Sequence, residues 1–251
     1  MNTHSRYLTT FATAALVVLA SCGSNTESAT TVAPATTAAL ATTASTAASS
    51  APTSPSSTHT FVAEVWADNW FSLYANGTLV GEDPVPITTE RSFNSETITF
   101  TATYPLSIAV VSKDYIEGSS GLEYIGEPQQ QIGDGGFIVQ ITDKATGSVV
   151  LATSSAWKGL VIQTAPLNPE CEKSTDPANE CRFEQLDEPT GWQSPTFDPS
   201  SWTPATEYTA EVVGAKDGYD SIRWDASAHL IWGSNLKTQN TILWRAPAVG
   251  T

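Results

Sequence analysis

The sequence predicts an all-β sandwich over residues 61–251, preceded by a disordered stalk, and three observations support this. From Phe61 onward, short runs of Val, Ile, Thr and aromatic residues alternate with clusters of Gly, Asn, Asp and Pro. This alternation is typical of a sandwich or barrel of many short strands. No helical periodicity persists beyond two turns, although a short helix is predicted over 226–232. Residues 22–60 are mostly Thr, Ala, Ser and Pro, which bury too little apolar area to offset the entropy of ordering.

The turn signals divide the domain into individual strands. We predict strands over 61–66, 70–75, 78–81, 97–102, 106–112, 137–142, 149–153, 160–164, 208–213 and 241–245. Asn76-Gly77 indicates a type I′ hairpin, because both central residues of that turn need positive φ, and 143–147 predicts a longer turn. Residues 167–204 are predicted to form one unusually long loop, and loops of this length are usually either functional or disordered.

The first 22 residues have the features of an export signal followed by a lipidation site. One charged residue, Arg6, precedes an apolar run over 11–20, which is too short to span a bilayer. The sequence Leu-Ala-Ser-Cys at 19–22 resembles the bacterial lipobox, so we expect residues 1–21 to be removed. We expect Cys22 to carry a diacylglycerol that anchors the protein outside the cytoplasm at the cell membrane. The alternative is an ordinary secretory signal in which the cysteine is incidental.

The charge balance restricts the partners that the protein can bind. The chain has 11 Lys and Arg against 26 Asp and Glu, and loss of Arg6 with the signal leaves 10 basic residues. Such an acidic chain does not fit nucleic acid or a bare anionic membrane surface, which both require basic patches. It is compatible with divalent cations and neutral polar ligands, although most of these carboxylates are expected to be solvated surface groups.

The two cysteines that remain after lipidation are expected to form a disulfide. Export places Cys171 and Cys181 in an oxidising compartment, where two leftover thiols usually pair. The bridge would close a polar loop of about ten residues. A metal site is the alternative, and it is weaker because no histidine lies nearby in the sequence.

One continuous run and several shorter motifs resemble a known family. Residues 67–81, Ala-Asp-Asn-Trp-Phe-Ser-Leu-Tyr-Ala-Asn-Gly-Thr-Leu-Val-Gly, resemble the central hairpin of galactose-binding-like sandwiches. The run is similar to the accessory domains of bacterial α-L-rhamnosidases. Further matches follow in the family's order at 106–110, 134–138, 153–158, 191–192 and 197–202. Ser154 and Pro199 stand where the family has carboxylates.

The resemblance extends over most of residues 61–205 and implies a jelly-roll fold without the family's catalytic domain. Residues 231–232 and 244–245 are similar to a segment that often opens such modules. We therefore expect 241–245 to supply an edge strand in a permuted order. Sandwiches of this type often hold a structural calcium, and Asp68, Asn69 and Asp134 lie in turns that would supply oxygen ligands. Turns capped by these side chains are the alternative.

Aromatic side chains are the best candidates for ligand binding. Indole and phenol rings stack on the C–H faces of sugars, and the chain has 8 Trp. Six aromatic residues in or beside predicted loops are the candidates: Trp70, Tyr115, Tyr124, Trp192, Trp202 and Tyr219. Packing against the long loop is the alternative for each of them. Five tryptophans are predicted to belong to the core: Trp66, Trp157, Trp224, Trp232 and Trp244.

Catalytic motifs are weak by comparison. His4 belongs to the signal and His59 to the predicted stalk, so His229, which is interpreted as structural, would have to serve any Ser-His-Asp triad. Glycoside hydrolysis would need paired carboxylates, for which the candidates are Asp68, Glu123, Glu127 and Asp134. We therefore predict a non-enzymatic carbohydrate-binding-like module that has an extracellular or cell-surface glycan as its partner. A structural or protein-interaction lipoprotein is the second hypothesis, and a glycoside hydrolase the third.

Overall fold

The computed structural model describes residues 57–87, 94–116 and 118–250. The predictions for the signal, for Cys22 and for nearly all of the stalk lie outside these residues. The strands are β1 (Thr58–Asp68), β2 (Trp70–Ala75), β3 (Thr78–Glu82), β4 (Asn94–Thr103), β5 (Ile108–Lys113), β6 (Leu122–Glu123), β7 (Gln131–Ile132), β8 (Gly136–Asp143), β9 (Ser148–Ala152), β10 (Lys158–Thr164), β11 (Glu184–Gln185), β12 (Thr203–Pro204), β13 (Thr206–Tyr208), β14 (Leu230–Trp232) and β15 (Gln239–Arg245). Two four-residue helices are α1 (Pro177–Glu180) and α2 (Ala210–Val213).

Two antiparallel sheets pack as a sandwich, which confirms the predicted all-β class. One sheet has six strands in the order β13-β14-β8-β1-β4, with β9 also paired to β8. The other has seven strands in the order β11-β10-β15-β5-β2-β3, with β12 also paired to β10. Both sheets contribute large side chains to the core between them, among them Phe61, Phe71, Phe137, Trp232 and Trp244. The short β6–β7 hairpin lies apart from both sheets.

The central strands of the seven-stranded sheet are apolar on both faces. In β5, Val110 belongs to the main core, whereas Val111 belongs to a second cluster on the outer face. In β15, Trp244 and Leu243 alternate in the same way. Because strand side chains alternate between faces, the outer face of this sheet needs its own cover.

Residues 167–204 provide that cover. Trp192 and Trp202 of this segment pack in the outer cluster, at 1% and 7% exposure. Arg245 projects from β15 to the same side, where its Nη1 donates to Trp192 O at 3.2 Å and its Nη2 to Ser107 Oγ at 2.8 Å. The segment is therefore a structural layer held by a buried cation, not a free loop.

The predicted disulfide is confirmed. Cys171 and Cys181 are bonded, with their Cα atoms 5.4 Å apart, and both are 5% exposed. They form a small apolar cluster with Leu122 of β6. The bridge thus fixes one end of the covering segment to the β6–β7 hairpin.

Most predicted strands form, but two elements of the sequence interpretation are wrong. The strand predicted over 208–213 ends at Tyr208, because the Thr209 side chain accepts a hydrogen bond from Val212 N and begins α2. The helix predicted over 226–232 is replaced at its end by β14. Leu230, Ile231 and Trp232 are buried there, and Ile231 pairs with Phe137 of β8. Burial in a sheet overrides weak helical periodicity.

Both ends of the domain also differ from expectation. β1 begins at Thr58, so His59 lies in the sandwich, opposite Ala102, and not in the stalk. The C-terminal strand β15 is paired on both sides, with β10 and β5. It is therefore a central strand and not the predicted edge strand. The central position is favoured because β15 carries apolar side chains on both faces. Among the residues that the structure describes, no helix is long and apolar enough to cross a membrane.

The disulfide gives a direct test of the covering segment. We expect the Cys171→Ser, Cys181→Ser double variant to lose about 2–3 kcal/mol of unfolding free energy, because the bridge removes loop entropy from the unfolded chain. Urea denaturation of the oxidised and variant proteins measures this. Reductant should reproduce the loss in the natural protein and leave the variant unchanged, and equal stabilities would contradict the assignment.

Candidate functional site

Acidic side chains from four parts of the chain meet at one end of the sandwich. Asp68 ends β1, Asp114 follows β5, Glu123 lies in β6 and Asp134 lies between β7 and β8. The sheet ends are joined here, because Asn69 N donates to the carbonyl oxygen of the last residue of β5 at 2.7 Å. We call these four carboxylates the acidic cluster.

Asp114 is the most completely enclosed member of the acidic cluster, at 2% exposure. Its Oδ2 accepts from Asn240 Nδ2 at 3.2 Å, and its backbone N donates to Asn240 O at 2.8 Å. Its Oδ1 is buried without a hydrogen-bond partner. A Cβ on Gly133 would lie 2.7 Å from Asp114 Oδ2, so glycine is needed at this close approach.

Asp68 is almost equally buried, and burial controls how both acids titrate. Asp68 is 3% exposed, and its Oδ2 has no partner. Its pKa is raised well above the usual value by burial first, and then by Asp134 and Glu123, with Lys216 opposing. The pKa of Asp114 is raised by burial first, and then by Asp68 and the other acids, with the Asn240 hydrogen bond opposing. Burial therefore favours the protonated form of both groups.

The other two acids connect the acidic cluster to solvent. Burial also raises the pKa of Asp134, against the positive charges of Lys237 and Lys216, although the residue as a whole is exposed. Glu123 Oε2 accepts from Gln131 Nε2 at 3.0 Å across the β6–β7 hairpin. Three of the four acids considered for catalysis thus lie together: Asp68, Glu123 and Asp134. The fourth, Glu127, is exposed in the turn between β6 and β7.

The predicted calcium ligands fit a metal ion only in part. Asp68 offers a buried oxygen without a partner, but Asn69 Oδ1 accepts from Tyr115 N at 2.6 Å and braces the loop after β5. Within 57–87, 94–116 and 118–250, no three His, Cys, Asp or Glu side chains are arranged to hold a metal ion. Calcium at Asp68, Asn69 and Asp134 therefore stays a prediction.

A groove lies beside Asp114 and is lined by residues of β5, β10, β15 and the covering segment. It has a volume of about 290 Å³. Its lining comprises Ile87, Lys113, Asp114, Ile116, Gly118, Ile162, Gln163, Gln185, Glu188 and Thr241. Thr241 Oγ1 lies 3.4 Å from Gln163 Oε1, and Trp192 Nε1 donates to Glu188 Oε2 at 2.9 Å. The groove lining therefore combines three isoleucines with polar groups that are partly held in place.

A second cavity of about 320 Å³ meets the groove at Ile87 and is lined by Trp70 and the loop after β3. Trp70 Nε1 donates to Asp83 O at 3.2 Å. Lys113 Nζ lies 4.9 Å from the centre of the Trp70 ring, which is within cation–π range. Trp70 thus presents an oriented and partly exposed ring next to the groove.

The other predicted binding aromatics have different environments. For Trp192 and Trp202 the structure shows packing, which was the alternative to ligand stacking. Their rings lie 6.2 Å apart inside the outer cluster, where they cannot stack on a ligand without unpacking. Tyr115 and Tyr124 are half-buried in the loops beside Asp114 and Glu123.

The remaining tyrosine and the predicted core tryptophans pack against protein. The Tyr219 ring lies 5.6 Å from that of Trp66 and 5.7 Å from that of Trp224. Four of the five predicted core tryptophans are fully buried: Trp66, Trp157, Trp232 and Trp244. The fifth, Trp224, is half-buried.

The sequence analysis missed Asp114, Lys113 and Gln163. Asp114 lies just after a predicted strand, as Asp68 does, and adjacent strand ends meet at one edge of a sandwich. That placement was a signal that could have revealed the pair. Gln163 carried no such signal, because the irregular pairing of β10 with β15 around it is invisible in the sequence.

Comparison with known proteins gives no match. No protein-family model, no curated protein and no solved structure is similar to this chain at a significant level. The function must therefore be argued from the groove and the acidic cluster themselves.

The acidic cluster predicts an unusual dependence of stability on pH. A pKa raised in the folded state means that the native protein binds more protons than the unfolded chain between the two pKa values. Stability from Asp68 and Asp114 is therefore greatest at low pH and is lost as pH rises through their folded-state pKa values. We expect Asp114→Asn to unfold at a higher urea concentration than the natural protein at pH 8, and to show a smaller gain in stability on acidification.

Exposed Asp187 provides the matched control, since Asp187→Asn makes the same substitution at a solvated side chain. Urea midpoints at pH 5, 6.5 and 8 for the three proteins make the comparison. A destabilised Asp114→Asn protein at pH 8, together with stabilisation of the natural protein by added calcium, would show that a cation and not a proton satisfies these oxygens.

Proposed function

We propose that this chain is a lipid-anchored, extracytoplasmic protein whose sandwich binds a carbohydrate without cleaving it. The observation that carries the proposal is the groove, whose lining combines amide, ammonium, carboxylate and hydroxyl groups with three isoleucines. Small polar ligands bind where a few convergent polar groups fix their orientation against apolar surface. A galactose-binding-like jelly roll, as the sequence resemblance implies, is the proposed finer fold.

The groove matches the two kinds of surface on a sugar. Gln163 and Gln185 are directly opposite each other in the β10–β11 pairing, so two amides able to donate and accept lie side by side. Ile87, Ile116 and Ile162 supply apolar contact for C–H groups. Trp70 in the adjoining cavity offers an aromatic face for a second sugar unit. The groove and the second cavity together would accommodate a short oligosaccharide.

Charge favours a neutral glycan. The groove contains the ammonium of Lys113, but Asp114 and Glu188 also line it, and the whole chain has a formal net charge of −15. An acidic polysaccharide would be repelled at long range. A neutral sugar avoids this cost and can still accept hydrogen bonds from Lys113 and donate them to Glu188.

The acidic cluster does not favour glycoside hydrolysis. A general acid must reach the glycosidic oxygen, whereas Asp68 and Asp114 are at most 3% exposed. Their raised pKa values are accounted for by burial and mutual repulsion. We therefore assign them to the support of the groove wall.

Protein interaction is the second candidate, and one observation favours it. Phe183 and Leu186 flank the edge strand β11 and are 48% and 53% exposed. Exposed apolar side chains beside an open sheet edge are typical of a docking surface. This surface lies on the same strand as Gln185, so both candidates can be tested in one set of variants.

The groove residues make the glycan proposal testable. We expect binding of the mature protein on a neutral glycan array, and Lys113→Ala or Gln163→Ala to weaken it about 5- to 20-fold, since each removes a hydrogen bond to the ligand. Lys173→Ala is the matched control, because Lys173 is exposed and does not line the groove. Titration of the best glycan by calorimetry gives the dissociation constants.

Unchanged glycan affinity in Lys113→Ala and Gln163→Ala would show that the glycan binds outside the groove. No binding to any neutral glycan, combined with capture of a protein partner that is lost on Phe183→Ser, would favour the second candidate.

The proposed anchor makes a separate prediction. Replacement of Cys22 by Ala should remove the lipid acceptor, so the membrane fraction should contain no cleaved form, and the protein should be either soluble or still attached to its signal. Immunoblots of membrane and soluble fractions measure this, and mass spectrometry of the natural protein should find an acylated N-terminal Cys22. An unmodified N-terminus upstream of Cys22 would contradict the anchor.

A further inference from the structure

A serine, a histidine and an aspartate are connected in series where β1 begins. Ser57 Oγ lies 3.4 Å from His59 Nε2, and His59 Nδ1 lies 3.1 Å from Asp143 Oδ2. Each neighbour uses a different ring nitrogen, which is the arrangement of a nucleophile, a base and an orienting acid. We infer that Ser57 is an activated nucleophile and that this second site hydrolyses small carboxylic esters.

Asp143 is well placed to orient the histidine. Its Oδ1 accepts from Ala145 N at 2.8 Å, and its Oδ2 accepts from Tyr104 Oη at 3.3 Å as well as from His59. The backbone N–H of Ala145, followed by the His59 and Tyr104 hydrogen bonds, lowers the pKa of Asp143 against partial desolvation. The carboxylate is therefore ionised and fixed, with its side chain 5% exposed.

His59 is held by the sandwich and still reaches solvent. It is paired with Ala102 in the β1–β4 register, and the Tyr104 ring meets its edge at 4.8 Å. In the neutral tautomer that carries its proton on Nδ1, toward Asp143, Nε2 is the acceptor that faces Ser57. The His59 side chain is 30% exposed, so a substrate can approach this nitrogen.

An open cavity of about 520 Å³ adjoins these residues and sets the substrate class. Its lining is Ser57, Thr58, His59, Thr60, Lys144 and Ala145. The lining consists of few residues, most of them polar, so the cavity fits the small acyl group of an ester better than a long alkyl chain. Lys144 supplies the positive charge of the cavity, which would favour negative charge on the carbonyl oxygen of a bound ester.

The chemistry follows from the three roles. Ser57 Oγ forms a bond to the carbonyl carbon while its proton passes to His59 Nε2, and the ester C–O bond then breaks as the leaving alkoxide takes that proton. Water attacks the resulting acyl-serine with His59 again accepting a proton. The acid is released when Ser57 Oγ regains that proton. Asp143 stabilises the imidazolium in both steps without itself being protonated.

This site is independent of the groove. His59 is near the first residue of β1 and Asp68 is its last, and nine residues of strand separate them by about 30 Å. Substitutions at one site should therefore leave the other unaffected, so failure of the esterase inference and failure of glycan binding can be told apart.

A covalent probe tests the nucleophile directly. The mature protein is treated with a biotinylated fluorophosphonate, which bonds to an activated serine with loss of fluoride, and the labelled peptide is identified by mass spectrometry. We expect labelling at Ser57 that falls about tenfold or more in His59→Gln, because general-base catalysis contributes at least that much. His229→Gln is the matched control, since His229 Nδ1 lies 4.0 Å from Glu207 in a different part of the domain.

Turnover of p-nitrophenyl acetate provides the second measurement. Ser57 is exposed, so Ser57→Ala should leave the melting temperature unchanged. The same substitution should reduce the rate of ester hydrolysis to that of an equal concentration of free imidazole. Exposed Ser119→Ala should keep the full rate. Labelling of Ser57 that does not respond to His59→Gln, labelling no greater than at Ser119, or undiminished hydrolysis in Ser57→Ala would each overturn the inference.

Discussion

The seven-stranded sheet has two apolar faces, and the rest of the molecule is arranged to cover them. Val110 and Trp244 face the other sheet, whereas Val111 and Leu243 face the opposite way. Apolar surface of this kind is not left in water by a stable domain. The six-stranded sheet covers one face, and residues 167–204 cover the other with Trp192 and Trp202. The disulfide and Arg245 hold that second layer in place.

The polar sites lie where this covering stops. At the Lys113 end of β5, the outer face is open and forms the groove, and the ends of β1, β5 and β8 bring Asp68 and Asp114 together. Strand ends carry polar turn residues because the chain must leave the sheet there. Burial of two carboxyl groups with unpartnered oxygens lowers the free energy of unfolding, and the apolar packing of the large core offsets this loss. The same core fixes the wall of the groove.

Much of the fold could be predicted from the sequence, because it depends on local patterns. Alternating apolar residues, Asn76-Gly77 and the pairing of Cys171 with Cys181 are local or compositional signals, and each has its counterpart in the structure. The position of β15 between β10 and β5 is a property of the whole chain. Apolar side chains on both faces are typical of an interior strand. The edge position was instead predicted for β15 because residues 244–245 are similar to a segment that often opens galactose-binding-like modules.

The sites were less predictable, for a physical reason. Trp192 and Trp202 lie in a segment rich in Pro, Ser and Thr, which is the composition of an exposed loop, yet long-range packing buries them. His59 follows the Thr-rich stretch and was assigned to it, but pairing with Ala102 brings it into β1. In each case a contact between distant residues decides the environment, and composition over a short window does not contain it.

The hydrogen bond between the Trp192 indole and Glu188 links the groove to the layer behind it. One end of that bond is a ring enclosed in the outer cluster, and the other is a carboxylate at the rim. A carboxylate held by this hydrogen bond has lost part of its rotational freedom during folding, so less further entropy would be lost when a hydroxyl binds to it. A ligand bound here would therefore meet a partly preorganised group, and its affinity would depend on the packing around Trp192.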